Sequence, residues 1–426
     1  MRVQRAAVVG AGAMGSGIAC VLSQCGIEVL LKDVEQSFVE KGLANIKRMY
    51  DSRVKKGTLS QEEADKLYAL VKGSTNYDDF KNVDLVIEAA FEEISVKLDI
   101  FKTLDQVCPA RAILATNTSA LSVSEIAAAT GRPEKVLGMH FFNPAQFMKL
   151  VEVIPGVKTS EETVKTAMEL CKEMQKTPVK VEECPGFLVN RVLFTYMNEA
   201  LYALQEAGTD EAAITNAVKE IDAKVVEFGL PMGPFALFDM TGIDVCAHVT
   251  QFLYTQYGPR FAPAQILARL VKEKQLGQKT GAGFFMHDKG VPVKGEEKKV
   301  NPKLVEIVAA VNKECKIAKG KKEFDVLRVI LPMLNESIYC LQEGVVDVND
   351  IDVAMQNGCG FKRGIIALAK EKGLDWCLKE IQSYAQSGAG DDAYVERFRP
   401  AWLLNKLVGA KVKDLSEFGK TPVAVG

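Results

Sequence analysis

The sequence predicts an α/β fold in which an open, doubly wound parallel sheet is followed by two homologous all-α domains. Three observations carry this. Over the first ~180 residues short β-branched runs alternate with helical stretches, the pattern of a parallel sheet covered on both faces. After "VKVEECPGF", residues 179–187, the alternation stops and amphipathic helical spacing takes over. One helical stretch then recurs: "RVLFTYMNEALYALQEAG" from Arg191 aligns with "RVILPMLNESIYCLQEGV" from Arg328, pairing Asn198 with Asn335, Glu199 with Glu336, Tyr202 with Tyr339 and Gln205 with Gln342.

The expected strands are Ala6-Ala7-Val8-Val9, Val29-Leu30-Leu31, Leu85-Val86-Ile87, Ile113-Leu114-Ala115, Val136-Leu137-Gly138-Met139 and Leu150-Val151-Glu152-Val153. Ser60 followed by Glu63 is a capping box that opens a helix. With the helix around "GLANIKRMYDSRVKKG" it makes a charged excursion from the sheet. Cys184-Pro185-Gly186 marks a boundary, so the expected domains are 1–183, 184–300 and 301–426. "RFAPAQILARLV" from Arg260 and "RFRPAWLLNKLV" from Arg397 extend the repeat to the end of the chain. The lysine-rich "HDKGVPVKGEEKKVNP" between the copies reads as a solvated linker.

Length and composition restrict the function classes. A chain of 426 residues exceeds one ordinary core. With 48% hydrophobic residues and a net charge of −2, it has no global basic field for nucleic acid or an anionic membrane. Any anionic ligand must be held locally. No apolar stretch approaches a membrane span, and "MRVQRAAVVG" has no signal-type apolar core, so the cytoplasm is the expected location. Ten cysteines without CxxC pairs or His/Cys ligand spacing indicate reduced thiols and no metal site.

"AAVVGAGAMGSGIA" places Gly10, Gly12 and Gly15 directly after a strand and at the opening of a helix, the context a GxGxxG dinucleotide fingerprint requires. Gly10 permits the tight turn, Gly12 lets pyrophosphate approach, and Gly15 lets helix and strand pack. Ala13 and Met14 lie within the same loop-to-helix segment, whose N–H groups face phosphate. Asp33 ends the second strand, where a carboxylate accepts hydrogen bonds from a ribose diol and repels a 2′-phosphate. NAD is therefore expected over NADP, with Lys32 beside Asp33 the one feature that a phosphate would favour.

Six segments, "GAGAMGSGIA", "VIEAAFEEISVKLDIF", "ATNTSALSVSEIA", "GMHFFNPAQFMKLVEVI", "PGFLVNRVL" and "GQKTGAGFF", closely resemble the L-3-hydroxyacyl-CoA dehydrogenases of fatty-acid β-oxidation. The resemblance implies a Rossmann-like NAD-binding domain and an acyl-CoA thioester substrate. It also implies that His140 is the general base for the 3-hydroxyl proton, with Glu152 fixing and stabilising the ring. A base of suitable pKa and a carboxylate on its other nitrogen are what this oxidation needs. Ser119 and Asn190 match family positions that bind substrate oxygens and the histidine region; read alone they are a turn or cap residue and a helix-face amide. Ala89, Glu92, Lys97 and Asn117 match positions near the nicotinamide half of the cofactor, although Glu92 and Lys97 alone would also read as a surface ion pair. With Asn190 drawn from the helical domain, the expected active site is a cleft between domains. The basic stretch Arg48, Arg53, Lys55 and Lys56 is a candidate for CoA phosphates.

The duplicated helical domain looks like the dehydrogenase part of multifunctional β-oxidation enzymes. The enoyl-CoA hydratase part that precedes it there has no counterpart, which leaves a separate enzyme, working with a separate hydratase, or an excised fragment. Leu327 falls where the second copy would carry the equivalent of Asn190, so that copy is expected to be a scaffold. It would take the place of a dimer partner, giving a monomer or weak homodimer. His248 is expected to pack between domains, His287 to lie in a loop, and "QKTGAGFF" to be a turn with packing. Two rivals remain open: another β-hydroxyacid dehydrogenase, separable by CoA dependence, and a non-catalytic NAD-binding protein.

Overall fold

The computed structural model describes residues 2–287, 298–316, 323–387 and 392–418. Most of the predicted linker lies outside them. The chain divides into two compact units, Met1–Phe187 and Leu188–Gly426.

The first unit is built on eight strands: β1 (Arg5–Val9), β2 (Glu28–Lys32), β3 (Val71–Ser74), β4 (Leu85–Glu88), β5 (Ile113–Thr116), β6 (Val136–Phe141), β7 (Leu150–Pro155) and β8 (Thr177–Lys180). Their order is β3-β2-β1-β4-β5-β6-β7-β8, with the order reversing between β1 and β4. Successive residues alternate between faces, so Ala6 and Val8 pack on one side and Ala7 and Val9 on the other. Helices α1 (Ala13–Gln24), α2 (Gln36–Lys55), α3 (Gln61–Ala69) and α6 (Glu161–Glu173) cover the first face. Helices α4 (Ile94–Val107) and α5 (Val123–Ala128) cover the second. With both faces buried, the central strands read as unbroken apolar runs. The predicted capping box forms: the Ser60 hydroxyl accepts from the Glu63 N–H, and the Glu63 carboxylate accepts from the Ser60 N–H.

Two corrections concern the sheet. It is not wholly parallel, because β6 and β7 pair antiparallel. The predicted six strands also omit both edges. β3 is "VKGS" and β8 is "TPVK", short segments whose Lys, Gly and Pro blunt the edge against further pairing and so remove the apolar signal.

The second unit is helical: α7 (Val189–Gln205), α8 (Glu211–Phe228), α9 (Pro234–Thr241), α10 (Ile243–Tyr257), α11 (Gln265–Lys272), α12 (Pro302–Glu314), α13 (Leu327–Gln342), α14 (Val348–Cys359), α15 (Ile365–Lys372), α16 (Leu374–Ser387), α17 (Asp392–Arg397) and α18 (Trp402–Gly409). The repeated helices α7 and α13 pack on each other. Their charges cross over. Arg191 donates to Glu336 at 2.6 Å and to Glu343 at 2.6 and 2.9 Å, while Arg328 donates to Glu199 at 2.9 Å and to Glu206 at 2.7 and 2.6 Å. Arg260 completes Glu336 at 3.0 Å and Arg397 completes Glu199 at 2.7 Å. Each copy thus supplies the arginines that neutralise the other copy's glutamates, as in an isologous dimer interface. α12 packs on α8 and α11, and its Asn312 donates to the carbonyls of Gln205 and Gly208.

"QKTGAGFF" closes a turn over a buried carboxylate: Asp239 accepts from the N–H groups of Phe284 and Phe285, each at 2.8 Å. His287 is tied to it through Nε2 at 2.8 Å. His248 lies exposed on α10. No helix among the described residues is long and apolar enough to cross a membrane.

Candidate active site

The glycine-rich loop shows why its glycines are needed. Gly10 has φ +105°, and a Cβ there would lie 2.4 Å from the Ala89 carbonyl oxygen; a Cβ on Gly15 would lie 1.8 Å from the Gly10 oxygen. Neither position tolerates a side chain. A Cβ on Gly12 would meet nothing, so this position faces open space in front of α1. That helix begins at Ala13 and Met14 with no side-chain cap and no acidic residue in its first turn, which leaves its N–H groups and dipole available to an anion. Asp33 follows β2, and its carboxylate accepts from the Ala11 N–H and the Val34 N–H, each at 2.7 Å. These bonds hold it beside the loop. The open position, the uncapped helix and the acid together fit a dinucleotide whose pyrophosphate lies on α1 and whose ribose diol meets Asp33.

Beyond β4, Ala89 continues the ladder by donating to the Val9 carbonyl at 2.7 Å. Glu92 gathers the next loop: its Oε1 accepts from the Thr118 hydroxyl at 2.6 Å, the Ser119 N–H at 2.7 Å and the Ser119 hydroxyl at 3.1 Å. Lys97 lies 3.3 Å from Glu92 and donates to Glu88 at 2.7 and 2.9 Å. The Lys97 side chain is only 1% exposed and Glu92 36%, so the ion pair considered for the surface has just one surface member, and the buried partner of Lys97 is Glu88. Burial pushes the Glu92 carboxyl up, but Lys97 and the bonds from Thr118 and Ser119 outweigh it and hold that carboxyl below its ordinary value.

His140 sits next to last in β6, and its register partner in β7 is Glu152. The Nδ1 of His140 lies 2.7 Å from Oε2 of Glu152, with the carboxylate fully buried. A carboxylate only accepts, so this contact selects the tautomer with the proton on Nδ1 and leaves Nε2 as the basic nitrogen. Phe142 and Phe187 flank the ring at 4.5 and 5.9 Å between centroids. Asn117 fixes the strand end by accepting from the Phe141 N–H at 2.8 Å. The expected strands stop just before His140 and contain Glu152. Glu152 is the third of six residues, and it reaches His140 because the antiparallel turn brings the start of β7 to the end of β6.

Within the first unit the fold therefore brings Ser119, Glu92 and Lys97 into one network and His140, Glu152 and Asn117 into another. Asn190, the second residue of α7, is half-buried in the second unit. Of the candidate CoA cations, Arg48, Arg53 and Lys55 lie in the C-terminal half of α2 and Lys56 caps it. Sequence reasoning passed over Glu88, Thr116 and Thr118. One signal was available: an acid ending the apolar run Leu85-Val86-Ile87, nine residues before a lysine. Among the described residues no cluster of His, Cys, Asp or Glu could hold a metal ion.

Comparison with known proteins matches residues 5–184 to the 3-hydroxyacyl-CoA dehydrogenase NAD binding domain, and residues 186–287 and 324–417 to the 3-hydroxyacyl-CoA dehydrogenase C-terminal domain. The chain belongs to the 3-hydroxyacyl-CoA dehydrogenase family. Its N-terminal unit is that family's NAD-binding domain, and the C-terminal domain model matches both copies of the repeat. Among dehydrogenases and multifunctional relatives, the chain is 34% identical over 427 residues to the peroxisomal fatty acid beta-oxidation multifunctional protein of Arabidopsis thaliana, covering 97% of this chain. It spans 57% of that relative's length. It is 43% identical to the 3-hydroxybutyryl-CoA dehydrogenase of Clostridioides difficile over 66% of this chain and 99% of the relative. The crystal structure of 3-hydroxybutyryl-CoA dehydrogenase from Escherichia coli superposes with a TM-score of 0.82 at 30% identity, covering 97% of this chain and all of that one.

Proposed function

We propose that the chain oxidises L-3-hydroxyacyl-CoA to 3-ketoacyl-CoA with NAD, reversibly, in fatty-acid β-oxidation or related acyl-CoA metabolism. The observation that supports this most is the His140–Glu152 pair, in which the carboxylate takes up Nδ1 at 2.7 Å and leaves Nε2 to serve as the base. Bound NAD supplies the hydride acceptor at the nicotinamide ring. His140 takes the 3-hydroxyl proton on Nε2 as the carbonyl forms, and Glu152 stabilises the resulting imidazolium. In the reverse direction the same imidazolium returns the proton. Ser119, held through its N–H and hydroxyl by Glu92, and Asn190 are the proposed ligands of the substrate oxygens. Gly10, Gly12, Ala13, Met14 and Gly15 would carry the pyrophosphate, Asp33 the adenosine ribose, and Ala89, Glu92, Lys97 and Asn117 the nicotinamide half.

The crossed arginine–glutamate pairs support a monomer or weak homodimer, since the second helical copy already supplies to the first what a partner subunit would. That copy has Leu327 where the first has Asn190, which suits a scaffold. We further propose that the protein works with a separate enoyl-CoA hydratase, and in a reducing compartment such as the cytoplasm, which suits its free thiols.

The deciding experiment is acetoacetyl-CoA reduction with NADH and with NADPH, repeated with longer 3-ketoacyl chains and with His140→Gln. NADH oxidation that depends on the thioester and falls ~10²–10⁴-fold in the variant is expected. Turnover of free hydroxy acids without CoA, or an unimpaired variant, would overturn the proposal.

A further inference from the structure

The carboxylate of Glu88, the last residue of β4, is fully buried and belongs to no step of the proposed reaction. Its Oε1 accepts from the Ala90 N–H at 2.7 Å and from Lys97 at 2.7 Å, and its Oε2 accepts from Lys97 at 2.9 Å and the Thr116 hydroxyl at 2.7 Å. Three donor groups, the Ala90 N–H, the Lys97 ammonium and the Thr116 hydroxyl, thus make four bonds to its two oxygens. The same Lys97 also faces Glu92, so one ammonium is shared by two carboxylates and the cluster carries one negative charge in excess.

Its place in the sheet gives that charge a consequence. The strand order reverses between β1 and β4, and a dinucleotide crosses the strand ends at that reversal. Asp33 marks the β1-β2-β3 side for the adenosine. The other side, which ends in Glu88, Asn117 and His140, is left for the ring that reacts. An oxidised nicotinamide is cationic and a reduced one neutral. A fixed negative charge in surroundings poor in water therefore distinguishes the two forms.

We infer that Glu88 is a positioning residue which, through Lys97 and Glu92, fixes an excess negative charge at the nicotinamide half of the site and biases it toward the oxidised cofactor. This rests on the NAD-dependent reading above. Without Glu88, Lys97 and Glu92 cancel and the bias disappears. A purely structural role for Glu88 would weaken both cofactor forms alike.

The test is direct binding of NAD+ by calorimetry and of NADH by fluorescence to the full chain, with no substrate present. In Glu88→Gln the ratio of the NAD+ dissociation constant to that of NADH is expected to rise roughly tenfold or more, since at an effective dielectric of about 20 one unit charge still acts with ~1.4 kcal/mol at ~12 Å. Glu92→Gln, at a position that is 36% exposed and keeps a side-chain oxygen to accept from Thr118 and Ser119, removes the same charge and should raise the ratio in the same direction. It decides the matter if the buried variant does not fold. Glu88→Asp should keep the wild-type ratio. A ratio unchanged in both glutamine variants overturns the inference. A wild-type chain that binds neither coenzyme overturns the NAD-dependent reading itself.

Discussion

His140 and Glu152 are cross-strand partners in the one antiparallel pairing of the sheet, joined Nδ1 to Oε2 at 2.7 Å. The carboxylate is fully buried and its partner ring nearly so. Backbone register therefore sets the ring's orientation. Glu152→Gln keeps the shape but allows the amide to donate to Nδ1, which would shift the proton to Nε2 and remove the base. We expect kcat to fall by about 10²-fold or more with NADH affinity unchanged, since the pair lies on strands apart from the glycine-rich loop. Steady-state kinetics beside a NADH titration checks this. Equal losses in both would mean that the carboxylate only holds the fold.

Asp33 has a second duty that its position in sequence does not reveal. By accepting the Ala11 N–H at 2.7 Å it ties the end of β2 to the glycine-rich loop. Asp33→Ser removes the negative charge facing a 2′-phosphate and the bond to the loop together. NADH affinity is expected to drop about tenfold, the scale of one charge-assisted hydrogen bond. The preference for NADH over NADPH should narrow by more than that drop. Initial rates with each coenzyme are the measurement, and a preference that stays at its wild-type value would remove Asp33 from the specificity argument.

The sequence made the sheet centre and the site legible for one reason and hid the rest for another. Apolar runs such as Val8-Val9 and Leu85-Val86-Ile87 are buried on both faces, so composition alone locates them. The glycines and His140 were readable because steric and chemical demands at those points admit few residue types. By contrast, the antiparallel turn of β7 depends on which neighbour a strand finds, which a run of Leu, Val and Ile does not encode. Lys97 looked like a surface residue because its burial is conferred by Glu88, nine positions away. The crossed arginines of the repeat were visible as aligned letters, but that each pairs with the opposite copy emerges only from the packing of α7 on α13.

That crossing predicts a stability pattern. Arg191 is fully buried between Glu336 and Glu343, with its guanidinium also 4.3 Å from the Tyr257 ring. Arg191→Met leaves the buried Glu336 with Arg260 as its one arginine and takes both hydrogen bonds from the part-exposed Glu343, and should destabilise by about 3 kcal/mol. Pairing it with Glu336→Met should recover part of the loss, because two apolar side chains replace a desolvated pair. Denaturant unfolding of the two single variants and the double variant tests this. Simple additivity would mean that the two residues do not act on each other.

Asp222 on α8 gives a prediction with a definite sign. Its Oδ1 accepts from the Phe235 N–H at 2.9 Å and its Oδ2 from the Ala236 N–H at 3.2 Å, so it caps α9 from another helix. Burial pushes its carboxyl from the usual 3.8 up to about 7, although those two N–H groups pull it down. The native state therefore holds this proton more tightly than the unfolded chain. The stabilisation from that proton is complete below pH ~4, shrinks as pH rises and is gone above about 7. Asp222→Asn keeps a side-chain acceptor for the cap and has no proton to lose. The variant should lose less stability than wild type on going from pH 5 to pH 8, read as the difference in Tm of each protein between the two conditions. If both lose the same amount, the Asp222 carboxyl is already ionised in the native protein at pH 5 and the cap works as a charge.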